Sequence, residues 1–109
     1  MRYAYLLFVL VLAFAAEAFA GKIYGSIAEG GKAVGKGIKV EVACGTSNYA
    51  AETDAYGAFS VFATAQGKCM LKVAYQGQMP SIEINSYEGA VQYDLILERQ
   101  GGQYTLKRK

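Results

Sequence analysis

The sequence predicts an all-β domain, a small antiparallel sandwich of two sheets with seven or eight strands. Beyond position 20 the apolar residues recur at every second position, which is the period of a half-buried strand. These runs are short, and glycine and polar turn residues separate them at intervals of about 8–12 residues, the spacing of two-sheet sandwiches. No stretch of residues 21–109 carries the period of an amphipathic helix.

The first twenty residues stand apart from this pattern. Arg2 supplies a positive start, an apolar run extends from Leu6 to Ala16, and Ala18 and Ala20 are small residues in the positions a signal peptidase reads. The run is interrupted by Glu17 and is shorter than the roughly 18 residues a bilayer-spanning helix needs. A cleavable signal peptide over 1–20 is therefore expected, with retention as an anchor the alternative. No cysteine follows the site, so lipid anchoring is not expected and the product should hold no stable membrane anchor after cleavage. The domain would span 21–109 and be delivered to the periplasm or the cell exterior.

The first strand is Ile23, Gly25 and Ile27 alternating with Tyr24 and Ser26. Glu29 to Gly37 contains four glycines and reads as a flexible connection. It lacks the G-K-[ST] ending and the following helix of a phosphate-binding loop. Ile38, Val40, Val42 and Cys44 mark the second strand, and Tyr49 to Thr53 the third. Asp54-Ala55-Tyr56-Gly57 is a tight turn, because Asp can bond its own backbone and Gly can take positive φ. Phe59, Val61 and Ala63 are the inward set of the fourth strand. Thr64 to Lys68 turns the chain into the fifth, with Cys69, Leu71, Val73 and Tyr75 inward. Ile82 and Ile84 mark a sixth, Val91, Tyr93, Leu95 and Leu97 a seventh, and the Gln100-Gly101-Gly102-Gln103 turn leads to Tyr104, Thr105 and Leu106.

The chain has two cysteines, and export would place them in an oxidising compartment. Cys44 and Cys69 both fall on inward registers, so a disulfide bridging the core is expected. In the chain-entropy picture it would stabilise the fold by about 3.5 kcal/mol. A metal site lacks any histidine partner, and a redox pair lacks the C-x-x-C spacing.

Three segments resemble the carboxypeptidase regulatory-like domain: IYGSI at 23 to 27 with GIKVEV at 37 to 42, TDAYGAFSV at 53 to 61, and GKCMLKVAYQGQ at 67 to 78 followed by YDLIL at 93 to 97. That family is a prealbumin-like, transthyretin-like sandwich of Greek-key type with a carbohydrate-binding-like fold. The resemblance implies a non-catalytic accessory or scaffold module, here standing alone behind a signal peptide. It supplies no binding residues to carry across.

Function is constrained mainly by exclusion. The chain contains no histidine, which removes Ser-His-Asp triads, Cys-His pairs and most zinc sites. Glu52, Asp54, Glu83, Glu88, Asp94 and Glu98 could in principle supply a glycosidase pair, yet most sit on polar faces or turns, where solvated charge is the ordinary explanation. A net charge of +2 is too mild to suggest nucleic acid, and Lys107, Arg108 and Lys109 read as a solvated end. No enzyme activity, cofactor or metal is expected.

Tyrosine is the feature most open to function, since its flat apolar face and polar tip suit stacking on sugars or docking a partner. Tyr75 and Tyr93 fall on inward registers and read as core. Tyr24, Tyr49, Tyr56 and Tyr87 are the candidate contacts with a ligand or partner. The expectation is an exported module acting through protein contacts, with carbohydrate binding by surface tyrosines as the alternative.

Overall fold

A computed structural model describes residues 21–109; the expected export segment, residues 1–20, lies outside the described residues. The alternation becomes nine strands: β1 (Lys22–Glu29), β2 (Lys32–Ala33), β3 (Lys39–Cys44), β4 (Ser47–Glu52), β5 (Ala58–Phe62), β6 (Gly67–Val73), β7 (Ser81–Ser86), β8 (Val91–Gln100) and β9 (Gln103–Arg108). They form a sandwich of a five-stranded sheet, β2-β1-β8-β9 with β5 also on β1, and a four-stranded sheet, β4-β3-β6-β7. β2 and β5 share one flank of β1, β5 pairing with Lys22 to Ser26 and β2 with Ala28 and Glu29.

The all-β sandwich is as expected, with two differences. The ninth strand is β2, where a flexible connection was expected. Gly30 and Gly31 have φ of 59° and 81°, the paired positive values of a two-residue hairpin turn, and they fold Ala33 back against Ala28. The second difference is that β1 and β8 run parallel, from Ile23 opposite Val91 to Glu29 opposite Leu97. β7 and β8 belong to different sheets, so the Tyr87–Ala90 connection crosses the sandwich and lays β8 beside β1 instead of closing a hairpin.

The inward positions make one core: Ile23 and Ile27 of β1, Val40 and Val42 of β3, Phe59 and Val61 of β5, Leu71 and Val73 of β6, Ile84 of β7, and Tyr93, Leu95 and Leu97 of β8 are all buried. Gly25 occupies the inward position between Ile23 and Ile27. A Cβ there would collide with the Tyr93 carbonyl, so the close approach of β1 and β8 requires glycine.

Two polar side chains hold the connection from β4 to β5. Thr53, buried, donates its hydroxyl to the Gly35 carbonyl at 2.6 Å and accepts from the Ile38 amide at 3.0 Å. Asp54 accepts from the amides of Tyr56 at 2.8 Å and Ala58 at 3.0 Å, closing the turn anticipated from its sequence.

Cys44 and Cys69 form the disulfide, with Cα atoms 4.3 Å apart. Its position corrects one expectation. The bridge does not span the core from sheet to sheet. Extending the β3–β6 register by one step beyond Ala43 and Met70 places the two cysteines opposite each other on neighbouring strands of one sheet. Both point inward, so the sulfurs remain buried at one end of the core.

Candidate functional site

The four candidate tyrosines do not share one surface. Tyr24 is half-buried on the outer face of β1, with the Lys22 ammonium 5.2 Å from its ring centroid. Ser60 and Gln92 flank it on β5 and β8. Next to it, Asp94 accepts from Ser26 Oγ at 3.1 Å and Gln92 Nε2 at 3.1 Å. Tyr56 is 83% exposed at the tip of the Asp54 turn, which bonds to Ile27 through the Gly57 carbonyl. Tyr87 is 53% exposed in the loop that bonds to Gly21 through the Glu88 carbonyl, at the opposite end of β1.

Tyr49 takes a different orientation. The two-residue Gly45–Thr46 turn sets the β3–β4 register so that Tyr49 lies opposite the buried Val42, on the inward face. Its hydroxyl meets Thr64 Oγ1 at 3.1 Å and accepts from the Ala65 amide at 3.1 Å. These bonds, the Thr64 hydroxyl first, hold the phenol below its ordinary value. Tyr49 fastens an edge strand to the loop after β5.

A second group of residues, gathered from four segments, forms a more coherent site. At the end of β1, the far part of β8 and the start of β9, the inward positions are Glu29, Arg99 and Tyr104. The registers establish this: Glu29 lies opposite Leu97, and Arg99 opposite Tyr104. Among the described residues it is the end of the β6–β7 hairpin, where Tyr75 and Gln78 bond each other's backbone, that packs against them. Tyr75 donates its hydroxyl to Glu29 Oε1 at 2.8 Å and meets the Tyr104 ring edge-on, with centroids 5.1 Å apart. The Arg99 guanidinium lies 5.9 Å from the Tyr104 centroid.

Gln78 fixes this arrangement. Its side-chain amide acts as a short piece of strand, donating to the Gly102 carbonyl at 2.9 Å and accepting from the Tyr104 amide at 2.8 Å. The turn that presents it places Gln76 at φ 51°, a left-handed conformation uncommon for a residue with a side chain. Beside these groups is a recess of about 430 Å³ lined by Gln78, Met79, Pro80, Gln103 and Tyr104, within the size range of small-ligand sites. The Glu29 carboxylate at the Tyr75 hydroxyl, together with partial burial, raises the phenol above its ordinary value.

The sequence assigns Tyr93 to the core, where it is found, its hydroxyl accepting from the Asn85 amide and donating to the Asn85 carbonyl. Tyr75, assigned the same way, is only half-buried and lies past the last residue of β6. Glu29 was read as part of a loop, and Tyr104 as an ordinary strand residue. One signal was available: Glu29 shares the inward parity of Ile23 and Ile27. Among the described residues, no group of three or more His, Cys, Asp or Glu side chains is placed to hold a metal ion.

No family model matches the chain, and no curated protein does. A solved structure from Bacteroides uniformis ATCC 8492, provisionally described as a carbohydrate-binding protein, is similar with a TM-score of 0.51 and 16% identity. The match covers 80% of this chain and 52% of that one, so this chain spans about half the length of that protein. At such identity the likeness is one of fold.

Proposed function

We propose that this chain is an exported, non-enzymatic binding module that takes a glycan in the recess beside Tyr104. One observation carries the reading: an aromatic ring and several polar groups are held in place before any ligand arrives. Sugars are recognised by an apolar ring face together with amides, carboxylates and hydroxyls at fixed positions. Tyr104 supplies the ring, Gln103 and Gln78 line the recess with amides, and Tyr75, bonded to Glu29, meets the same ring. Because Gln78 and Tyr75 are already hydrogen-bonded, little side-chain freedom is lost on binding.

Other observations support the reading without carrying it. The fold neighbour is provisionally described as a carbohydrate-binding protein. The resemblance to carboxypeptidase regulatory-like domains favours an accessory role over catalysis. The absence of histidine from the chain argues in the same direction. A buried disulfide fits the oxidising compartments outside the cytoplasm.

The test is a glycan array probed with the purified protein and with Tyr104→Ala. The proposal expects binding to a restricted class of glycan, reduced at least about tenfold by the substitution, the loss of one well-placed aromatic contact. A wild-type protein that binds no glycan would overturn it. Binding that survives Tyr104→Ala but is lost in Tyr24→Ala would move the site to the outer face of β1.

A further inference from the structure

A sandwich of open sheets leaves edge strands whose outward N–H and C=O groups can pair with another strand, and stable proteins blunt such edges. Three edges here carry devices of that kind. On β7, Pro80 stands at the head of the strand and the Tyr93 hydroxyl occupies both the N–H and the C=O of Asn85. On β9, the Gln78 amide occupies Tyr104 N–H and Gly102 C=O, and Lys107, Arg108 and Lys109 follow. On β5, Asp54 takes the Ala58 amide with its carboxylate and donates its own amide to the Ala58 carbonyl.

β4 has no such device. The Gly45–Thr46 turn sets which of its residues bond to β3: Ser47, Tyr49 and Ala51 face inward to β3 with their backbone groups, while those of Asn48, Ala50 and Glu52 point outward. Among the described residues none of these outward groups has a partner, and β3 is the one strand paired with β4. The strand is Ser-Asn-Tyr-Ala-Ala-Glu, with no proline or lysine and with small residues at its centre. Open recesses of about 360 and 430 Å³ flank Ala50.

We infer that two copies of this chain pair antiparallel through β4, with the two-fold axis at Ala50, to make one continuous eight-stranded sheet. Side-chain complementarity favours a second copy in this register. Centring on Ala50 places Asn48 opposite Glu52 of the partner subunit, twice per interface, so that an amide donor meets a carboxylate on the exposed face. Ala50 meets its own copy with no bulk in the way. Centring on Glu52 would instead oppose two carboxylates. The Tyr49 hydroxyl is held by Thr64 and Ala65, so its ring stays on the inward face, and β5 borders the strand at Glu52 across a shared recess. β4 and β7 are opposite edges of their sheet, so the recess beside Tyr104 stays open in both copies, and the pairing does not depend on what that recess binds.

The test is sedimentation equilibrium of the purified protein from micromolar to millimolar concentration. The expected result is a monomer–dimer equilibrium that Asn48→Asp weakens and Asn48→Lys strengthens, each by about tenfold, because the two changes create like or opposite charge pairs at both Glu52 positions. Ala50→Lys should abolish the dimer. These side chains are exposed, and unchanged circular dichroism serves as the folding control. A protein that stays monomeric throughout the range, or a dimer indifferent to all three substitutions, overturns the inference. A monomer that instead pairs with an unrelated extended peptide at this edge overturns it as well.

Discussion

Replacing Cys44 and Cys69 together with alanine should lower the melting temperature by about 14–28 °C. The bridge closes a segment of sequence separation 25 that contains all of β4 and β5. In the unfolded chain that closure removes conformational entropy equivalent to about 3.5 kcal/mol at 25 °C. A domain of this size shifts by about 4–8 °C for each kcal/mol, which gives the stated range. The native state offers no compensating relief, because the two residues already sit opposite each other on paired strands. Differential scanning calorimetry of the wild type, the double variant and the wild type under reductant supplies the comparison. The variant and the reduced protein should melt together. A fall of less than about 3 °C would refute the reasoning, as would two reactive thiols in freshly purified, folded protein.

Other perturbations act at single contacts. Thr53→Val keeps the shape of a buried side chain but strands the Gly35 carbonyl and the Ile38 amide, and should cost about 2–3 kcal/mol in urea unfolding; Thr53→Ser should cost much less. Gly25→Ala forces β1 away from β8, because the added carbon meets the Tyr93 carbonyl, and should destabilise by about 3 kcal/mol or more; a variant as stable as wild type would contradict the close approach. The Tyr75–Glu29 bond gives a signed pH dependence. Since the folded phenol titrates above its unfolded value near 10, its contribution is complete below that pH and is lost as pH rises through the folded value. Tyr49 is shifted the other way, so the comparison that isolates Tyr75 is wild type against Tyr75→Phe. Their stability difference, about 1 kcal/mol at pH 8, should shrink toward zero as pH rises through the folded value.

What the sequence revealed and what it concealed divide along a physical line. Strands whose inward residues are all apolar, such as Val40–Val42–Cys44 and Cys69–Leu71–Val73, were legible because period-two alternation reports burial directly. The Asp54–Gly57 turn was legible because its bonds are local. The disulfide was legible as a pair of inward cysteines but not as a link between neighbours, since β3 and β6 are separated in sequence by two other strands. The parallel β1–β8 pairing was hidden for the same reason: it joins residues far apart in the chain through a connection that changes sheets.

The candidate site lies almost wholly on the concealed side. Glu29, Tyr75, Gln78 and Tyr104 converge because the registers of β1, β8 and β9 bring Glu29 and Tyr104 to the end of the β6–β7 hairpin, and such a meeting is a property of registers across the fold, not of any one segment. The direction of Tyr49 was not legible from its strand alone. A strand beginning at Ser47 after a two-residue turn sends its tyrosine inward, where a strand read without its turn leaves the direction open. Tyr24, Tyr56 and Tyr87 were identified as surface candidates from composition, but composition carries no information on whether they gather.

The central claim concerns where a glycan binds, and a two-dimensional amide NMR titration of the purified protein with the glycan selected by the array tests it most directly. Shift changes should be confined to the β1–β2 hairpin at Glu29 to Gly31, the turn at Tyr75 to Met79 and the β8–β9 hairpin at Arg99 to Tyr104. Changes centred instead on Tyr24, Gln92 and Asp94, or no changes at saturating glycan, would contradict it.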